Sequence, residues 1–431
     1  MSQFTTRVIR STFLSNSIWA IIGSFISKGI NFASIAWIAR ILGPEIFGEY
    51  NVIQTTVGMF GTVSGLGLGL AATKLIAEWR EKDIQKVGKI IGTLYLISFL
   101  VSLTVAIIFF LSAGWISNSL LNNGNLSLLL QITSVLVIFD SINGVQNGVL
   151  SGFELFKEIT IINSFIGIIS SPLLIVVTYL YGLTGLTIVL LLTRLLNIGA
   201  NRFYLQKKFK TLSISVTPKL NKDVLKSIFG ISIPSFLSSF ATSPINWVAT
   251  TLFINQPSGY KALGTYNAAN QLKTLVLFLP ESAGKVTIPQ LANSFGSGDL
   301  KKFKSTVLLT FVFNVVLAVL TAIALYFFGG IFQQIIGVKF ELSNALIIIV
   351  LATGILIAAT NAIGYIFICS NLIWYDFLLR ILWGITLIIL ILFYGRYNGA
   401  IGFGISMLGA YIVNMFGQVL VLFAKFRFKQ Q

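Results

Sequence analysis

The chain has 431 residues, of which 55% are hydrophobic and only 10% charged, and its mean hydropathy is +0.89. A water-soluble protein carries about 25% charged residues, so composition excludes a soluble enzyme or binding domain and requires a polytopic membrane protein. The 30 Lys and Arg outnumber the 13 Asp and Glu, for a net charge of +17. That excess is what cytoplasmic loops of membrane proteins collect, and the aromatic residues lie in apolar runs rather than between basic ones, so no nucleic-acid partner is expected.

Cys369 is the one cysteine, which rules out an internal disulfide, and there is no histidine. His-based acid–base catalysis and His-containing metal sites are therefore absent, and neither a metal nor a cofactor is expected.

A spanning helix needs about 20 mostly apolar residues. The first predicted span, 14–42, follows a polar start bearing Arg7 and Arg10; it is too long for a signal-peptide core and lacks a small-residue cleavage site, so it stays in the protein. It holds Lys28 and Asn31. The second, 46–77, carries Gln54 and the series Gly58, Gly61, Gly65, Gly67 and Gly69. A third at 88–112 is followed by the fourth at 126–150, which contains Asp140, the fifth at 159–181 and the sixth at 183–206, which contains Arg194. The longest polar stretch comes next. The seventh (228–254) and eighth (262–294) hold Pro234, Pro244, Asn246, Asn270, Gln271, Lys273, Pro280 and Pro289, half of the chain's eight prolines. The last four are 305–329, 342–369, 377–395 and 400–424. The expected fold is an all-α membrane protein of twelve transmembrane helices. Its organisation is a six-helix bundle at 1–206, a cytoplasmic linker at 207–227 and a second six-helix bundle at 228–431.

With the N-terminus in the cytoplasm, the loops on that side hold 19 basic residues and those on the other side 3, namely Lys261, Lys339 and Arg396. This asymmetry places both termini in the cytoplasm. It also supports an even number of spans, because a missed span would scramble the alternation.

The halves resemble each other. An offset of 216 carries Phe47-Gly48-Glu49-Tyr50-Asn51 onto Leu263-Gly264-Thr265-Tyr266-Asn267, Gly43 onto Gly259, Asp83 onto Asp299 and Lys86 onto Lys302. Six spans per half is an even number, so the repeats are parallel, related by an axis along the membrane normal. Bundles paired in this way place a substrate site between halves that rock against each other.

Pro and Gly in spanning helices free backbone groups that need protein or water partners. The glycine series has two readings, close helix packing through small residues or the wall of a cavity. It is not a nucleotide motif, since it lies inside one apolar helix rather than between a strand and a helix.

Charges within spans are costly and are functional candidates. Glu281 with Lys285, and Asp376 with Arg380, are spaced four apart in the favourable order and read as structural ion pairs. Lys28 and Lys273 have no carboxylate one turn away, so an anionic ligand or a wet cavity explains them. Asp140 and Arg194 either pair with each other, or Asp140 couples transport to a proton or sodium ion. Arg194, Asn31 and Asn270 join the two lysines as candidate substrate contacts.

The segment Arg40-Ile41-Leu42-Gly43-Pro44-Glu45-Ile46-Phe47-Gly48-Glu49-Tyr50-Asn51 resembles the first inter-helix motif of polysaccharide-exporting membrane proteins. Across its length the chain resembles the Wzx-type O-antigen flippases of the multidrug/oligosaccharidyl-lipid/polysaccharide (MOP) superfamily. The resemblance implies a V-shaped fold like that of the multidrug exporters of that superfamily (MATE). It also implies alternating access and transfer of undecaprenyl-diphosphate-linked repeat units from the inner to the outer leaflet of the bacterial inner membrane. Relatives hold the diphosphate with cations on the first, second and eighth helices; Lys28 and Lys273 match the first and eighth, while the second has no cation at mid-depth. The implied partners are the lipid-linked oligosaccharide, membrane lipids, and polysaccharide polymerase and assembly proteins.

The alternative on the same fold is a MATE-like antiporter of drugs or cations, which would favour a carboxylate-rich cavity, whereas the surplus here is positive. A membrane enzyme would need a large loop bearing catalytic residues. The longest outer loops, 113–125 and 330–341, hold only Lys339 and Glu341 as charged residues, so no enzymatic activity is expected.

Overall fold

A computed structural model describes the backbone of residues 2–220, 222–296, 300–370 and 372–427. Side chains are described for these residues except 2–28, 234, 235, 238, 283, 285–290, 292–296, 300–304, 368, 373, 396, 397, 426 and 427. The described residues form helices α1 (Ser2–Gly65), α2 (Leu68–Trp79), α3 (Ile84–Trp115), α4 (Leu126–Gly152), α5 (Phe156–Thr211) and α6 (Lys222–Phe240). They continue with α7 (Ser243–Ile254), α8 (Gly259–Gly296), α9 (Leu300–Ile336), α10 (Asn344–Cys369), α11 (Ile373–Leu390) and α12 (Arg396–Arg427).

Helix covers each of the twelve predicted spans, although helices and spans do not correspond one to one. Eight helical stretches among the described residues are long and apolar enough to cross a membrane. In two of these a sharp bend replaces a loop: α5 contains the fifth and sixth spans, and α1 contains the first and most of the second, which continues into α2. The seventh span is divided between α6 and α7, and α8 forms the more polar eighth.

The bends are glycines in conformations that a Cβ disfavours. Gly43 has φ 74° and is followed by Pro44 at the first position of the next helical segment, where its missing N–H is no loss. Gly182 (φ 58°, ψ −142°) and Gly399 (φ 50°, ψ −130°) have nearly the same geometry and lie 217 residues apart. They turn the fifth span into the sixth and the eleventh into the twelfth, a further landmark of the duplication. Asp83, one of the aligned repeat positions, caps α3 by accepting from the Lys86 amide at 3.0 Å. Its counterpart Asp299 lies outside the described residues.

The chain divides into two compact units. The first comprises Met1–Leu42 and Ile53–Ser243, the second Gly43–Val52 and Pro244–Gln431. In the first unit α2, α3 and α4 surround a core that includes Ile76, Ile91, Leu94 and Val149. Gly144, Gly148 and Gly152 form a four-residue-spaced stripe on α4. A Cβ at Gly148 would lie 2.9 Å from the Ala72 Cβ, and one at Gly152 would lie 2.7 Å from the Ile76 Cβ. The stripe therefore lets α2 and α4 meet backbone to backbone, and Thr73 Oγ1 donates to the Gly148 carbonyl at 3.2 Å.

The segment between α5 and α6 is packed rather than loose. Gly88 and Gly92 on α3 make room for the carbonyls of Ser215 and Thr217, Thr93 Oγ1 donates to the Lys219 carbonyl at 2.8 Å, and Ile214 enters the core.

In the second unit the ten residues Gly43–Val52 pack among α7–α12 residues. Phe47 is fully buried and meets Phe340 edge-on, with ring centroids 6.0 Å apart. The Cβ-less face of Gly48 abuts the carbonyl of Tyr260, and that of Gly264 abuts the carbonyl of Pro44.

Candidate functional site

Two spans associated with the first unit are interrupted. In the second span, Leu66 and Gly67 take positive φ values of 43° and 68° between α1 and α2. In the seventh, Ala241 and Thr242 separate α6 from α7. An interrupted spanning helix leaves backbone groups to be satisfied by side chains, water or ligand. Some are satisfied internally: Ser141 Oγ donates to the Ser64 carbonyl at 3.2 Å. Thr62 Oγ1 and Ser243 Oγ both donate to the Gly58 carbonyl, at 2.8 and 3.2 Å.

Beside these breaks is a cavity of about 390 Å³. It is lined by Val57, Gly58, Gly61, Thr62, Gly65, Gly67 and Gly69 of the second span, Asp140, Ser141 and Gly144 of α4, and Phe236 and Ser239 of α6. Gly58, Gly61 and Gly65 lie at i, i+3 and i+7, so they share a helix face. A Cβ at any of the three would meet nothing within 4 Å among the described residues. Phe60 stacks on Phe109 of α3 at 4.2 Å, which fixes the helix while its bare backbone faces the cavity. Both readings of the glycine series are thus realised: these three open onto space, whereas Gly69 packs against the carbonyl of Gly144 at 2.8 Å from its Cβ position.

Asp140 and Arg194 meet. Nε of Arg194 lies 2.9 Å from Oδ1 of Asp140, with both side chains partly exposed. Single replacements, Asp140→Ala or Arg194→Ala, should each be more damaging to stability than expected from the double replacement. The coupling from a double-mutant cycle on thermal unfolding should be on the order of 1 kcal/mol, and additive effects would show that the pair contributes nothing.

Asp140 begins a polar stripe on α4 that sequence reasoning passed over. Asn143 Oδ1 accepts from Asn201 Nδ2 at 2.6 Å, and Gln146 Nε2 donates to the Ile198 carbonyl at 3.2 Å. The signal was present in the run Asp140-Ser141-Ile142-Asn143-Gly144-Val145-Gln146-Asn147-Gly148, unusually polar for a span. Phe236 and Ser239 gave no such signal, because only the path of α6 brings them to the cavity.

The other candidates lie in the second unit or outside the described side chains. Lys273 is half-buried on α8 and forms no ion pair among the described residues. Asn270, one turn earlier on the same face, has a buried Oδ1 without a hydrogen-bond partner among the described residues. Gly354 of α10 accommodates the lysine stem; a Cβ there would lie 3.3 Å from Lys273 Cγ. Asp376 and Arg380 pair at 2.7 Å on α11. Asn31 is exposed on α1. The side chains of Lys28 and Lys285 lie outside the described residues, and so does the expected contact of Lys285 with Glu281.

Residues 13–295 match the family described as polysaccharide biosynthesis protein. The chain belongs to that family. This polysaccharide biosynthesis family member is 24% identical over 365 residues, 82% of its own length and 83% of the relative's, to a Shigella flexneri protein named "Putative O-antigen transporter". It is 20% identical over 69% of its length to a Ralstonia nicotianae protein named "EPS I polysaccharide export inner membrane protein EpsE", of which 68% is covered. Among solved structures, an inward-facing MATE-family multidrug transporter of the MOP superfamily aligns with a TM-score of 0.76 at 16% identity, covering 96% of this chain and 98% of that one. The family member therefore has a MATE-like fold, and its eight long apolar helical stretches make it a multi-pass membrane protein.

Proposed function

We propose that the protein is a flippase for undecaprenyl-diphosphate-linked oligosaccharide units, moving them from the cytoplasmic to the periplasmic leaflet of the inner membrane by alternating access. The observation that carries this reading is Lys273, a cation on a spanning helix with no ion pair among the described residues, in a chain of the polysaccharide biosynthesis family. A charge within a span calls for a partner, and a diphosphate supplies one. The named roles of the Shigella and Ralstonia relatives point to the same class of cargo.

In this reading Lys273 and Lys28 attract the diphosphate, and Asn31, Asn270 and Arg194 add hydrogen-bonding capacity along the path. Lysine acts as a mobile point charge rather than a bidentate fork, which suits a group that must be released on the far side. An inside-negative potential favours outward movement of an anion by about 2.3 kcal/mol per charge per 100 mV. No catalytic step is assigned, and both termini are placed in the cytoplasm.

Removal of the gene from its host should abolish the surface polymer on gels. Mass spectrometry should show single repeat units accumulating on undecaprenyl diphosphate at the inner leaflet. Normal polymer together with altered drug sensitivity would instead assign the protein to the MATE-like antiporters.

A further inference from the structure

We infer that the glycine-faced cavity of the first unit is a subsite for an uncharged sugar ring of the cargo; this rests on the flippase reading and locates the glycan part of its substrate. Four observations converge. The cavity volume of about 390 Å³ lies within the range of small-molecule sites, about 300–1,000 Å³, with room for a pyranose ring. Its wall carries polar groups beside apolar ones: Thr62, Ser141 and Ser239 contribute hydroxyls, and Gly58, Gly61 and Gly65 contribute helix backbone without methyl cover. Phe236 adds an apolar ring of the kind on which the C–H face of a sugar rests.

The fourth observation is charge. Asp140 is the one charged residue among the described residues lining the cavity, and Arg194 neutralises it at 2.9 Å. Among the described residues of this wall a diphosphate would find no uncompensated cation, and a coupling cation would have to displace the guanidinium. Asp140 still has a second carboxylate oxygen, Oδ2, as an acceptor for hydroxyls. A neutral, hydroxyl-rich ligand is the class that matches all four.

Glycine also explains how the site is formed. A Cβ at position 58, 61 or 65 would enter this space without touching any described residue. The cavity can thus be closed without disturbing the packing, and Ala in place of Gly raises helix propensity. A loss of binding in such variants is a loss of space rather than of fold.

The test uses full-length protein in lipid nanodiscs and native mass spectrometry. Three probes compete: bare undecaprenyl diphosphate, the same lipid bearing one neutral hexose, and the same lipid bearing one N-acetylhexosamine. At least one sugar-bearing lipid should bind about tenfold tighter than the bare lipid. Gly61→Leu should erase that preference and leave bare-lipid binding unchanged, and Phe236→Ala should reduce it. Equal binding of all three probes, or a preference that survives Gly61→Leu, overturns the sugar subsite while leaving the flippase reading in place. Failure of every probe to bind overturns both. Sodium-dependent stabilisation abolished by Asp140→Asn would assign the cavity to a coupling cation and likewise overturn the proposal.

Discussion

Replacing Gly264 with alanine should lower the unfolding temperature and abolish export, although it adds a single methyl group. The missing side chain of Gly264 leaves the space taken by the Pro44 carbonyl, and the Gly48 amide nitrogen lies 2.9 Å from the same Cβ position. These neighbours are backbone, so no rotamer change can yield; the segments must separate. Gly48 faces the Tyr260 carbonyl in the same manner. The offset of 216 converts Pro44 into Tyr260 and Gly48 into Gly264, so the two copies of the motif cross reciprocally, each glycine receiving the carbonyl four residues before the other. Overpacking of this kind costs about 1–3 kcal/mol at each position. Thermal unfolding of detergent-solubilised protein, followed by tryptophan fluorescence, should show the drop for Gly264→Ala and Gly48→Ala. Gly58→Ala, whose Cβ meets open space, serves as the control. Equal unfolding temperatures for all three would mean that the close crossing is not required.

Lys273→Ala should produce the opposite combination, with export falling about tenfold or more while stability is unchanged or raised. An ammonium on a spanning helix without an ion pair is held at a cost to the fold. Its removal also leaves no carboxylate stranded, since none pairs with it among the described residues. A structural lysine would lose stability and function together. Lys273→Arg should retain part of the activity, because the charge remains while the fork differs in shape. Export is read from surface polymer, and membrane abundance from an immunoblot of the same cells. Full export by Lys273→Ala would remove this residue from the diphosphate path.

Particular residues show why some of the protein was legible in one dimension and some was not. The bends at Gly43, Gly182 and Gly399 fall at or beside the edges of spans drawn from hydropathy, because a chain that leaves hydrocarbon must turn where its apolar run ends. The partnership of Asp376 with Arg380 was legible because four residues is about one helical turn. Asp140 and Arg194 were both recognised as charges in spans. Their pairing, however, is set by how α4 packs on α5, which spacing does not encode. The twelve-residue segment that carried the family resemblance showed what it belongs to but not that Gly43–Val52 packs with the second unit.

The sequence by itself determined the twelve spans, the duplication and the distribution of basic charge. Each depends on transfer of side chains between water and hydrocarbon or on local helix geometry, which act residue by residue. Tertiary structure alone decided the roles of the glycines. Gly48 and Gly264 admit a crossing backbone, Gly148 and Gly152 bring α2 against α4, and Gly58, Gly61 and Gly65 open a cavity. A hydrogen in place of a side chain has no chemistry of its own, and its effect is set entirely by what the fold brings to the vacated space.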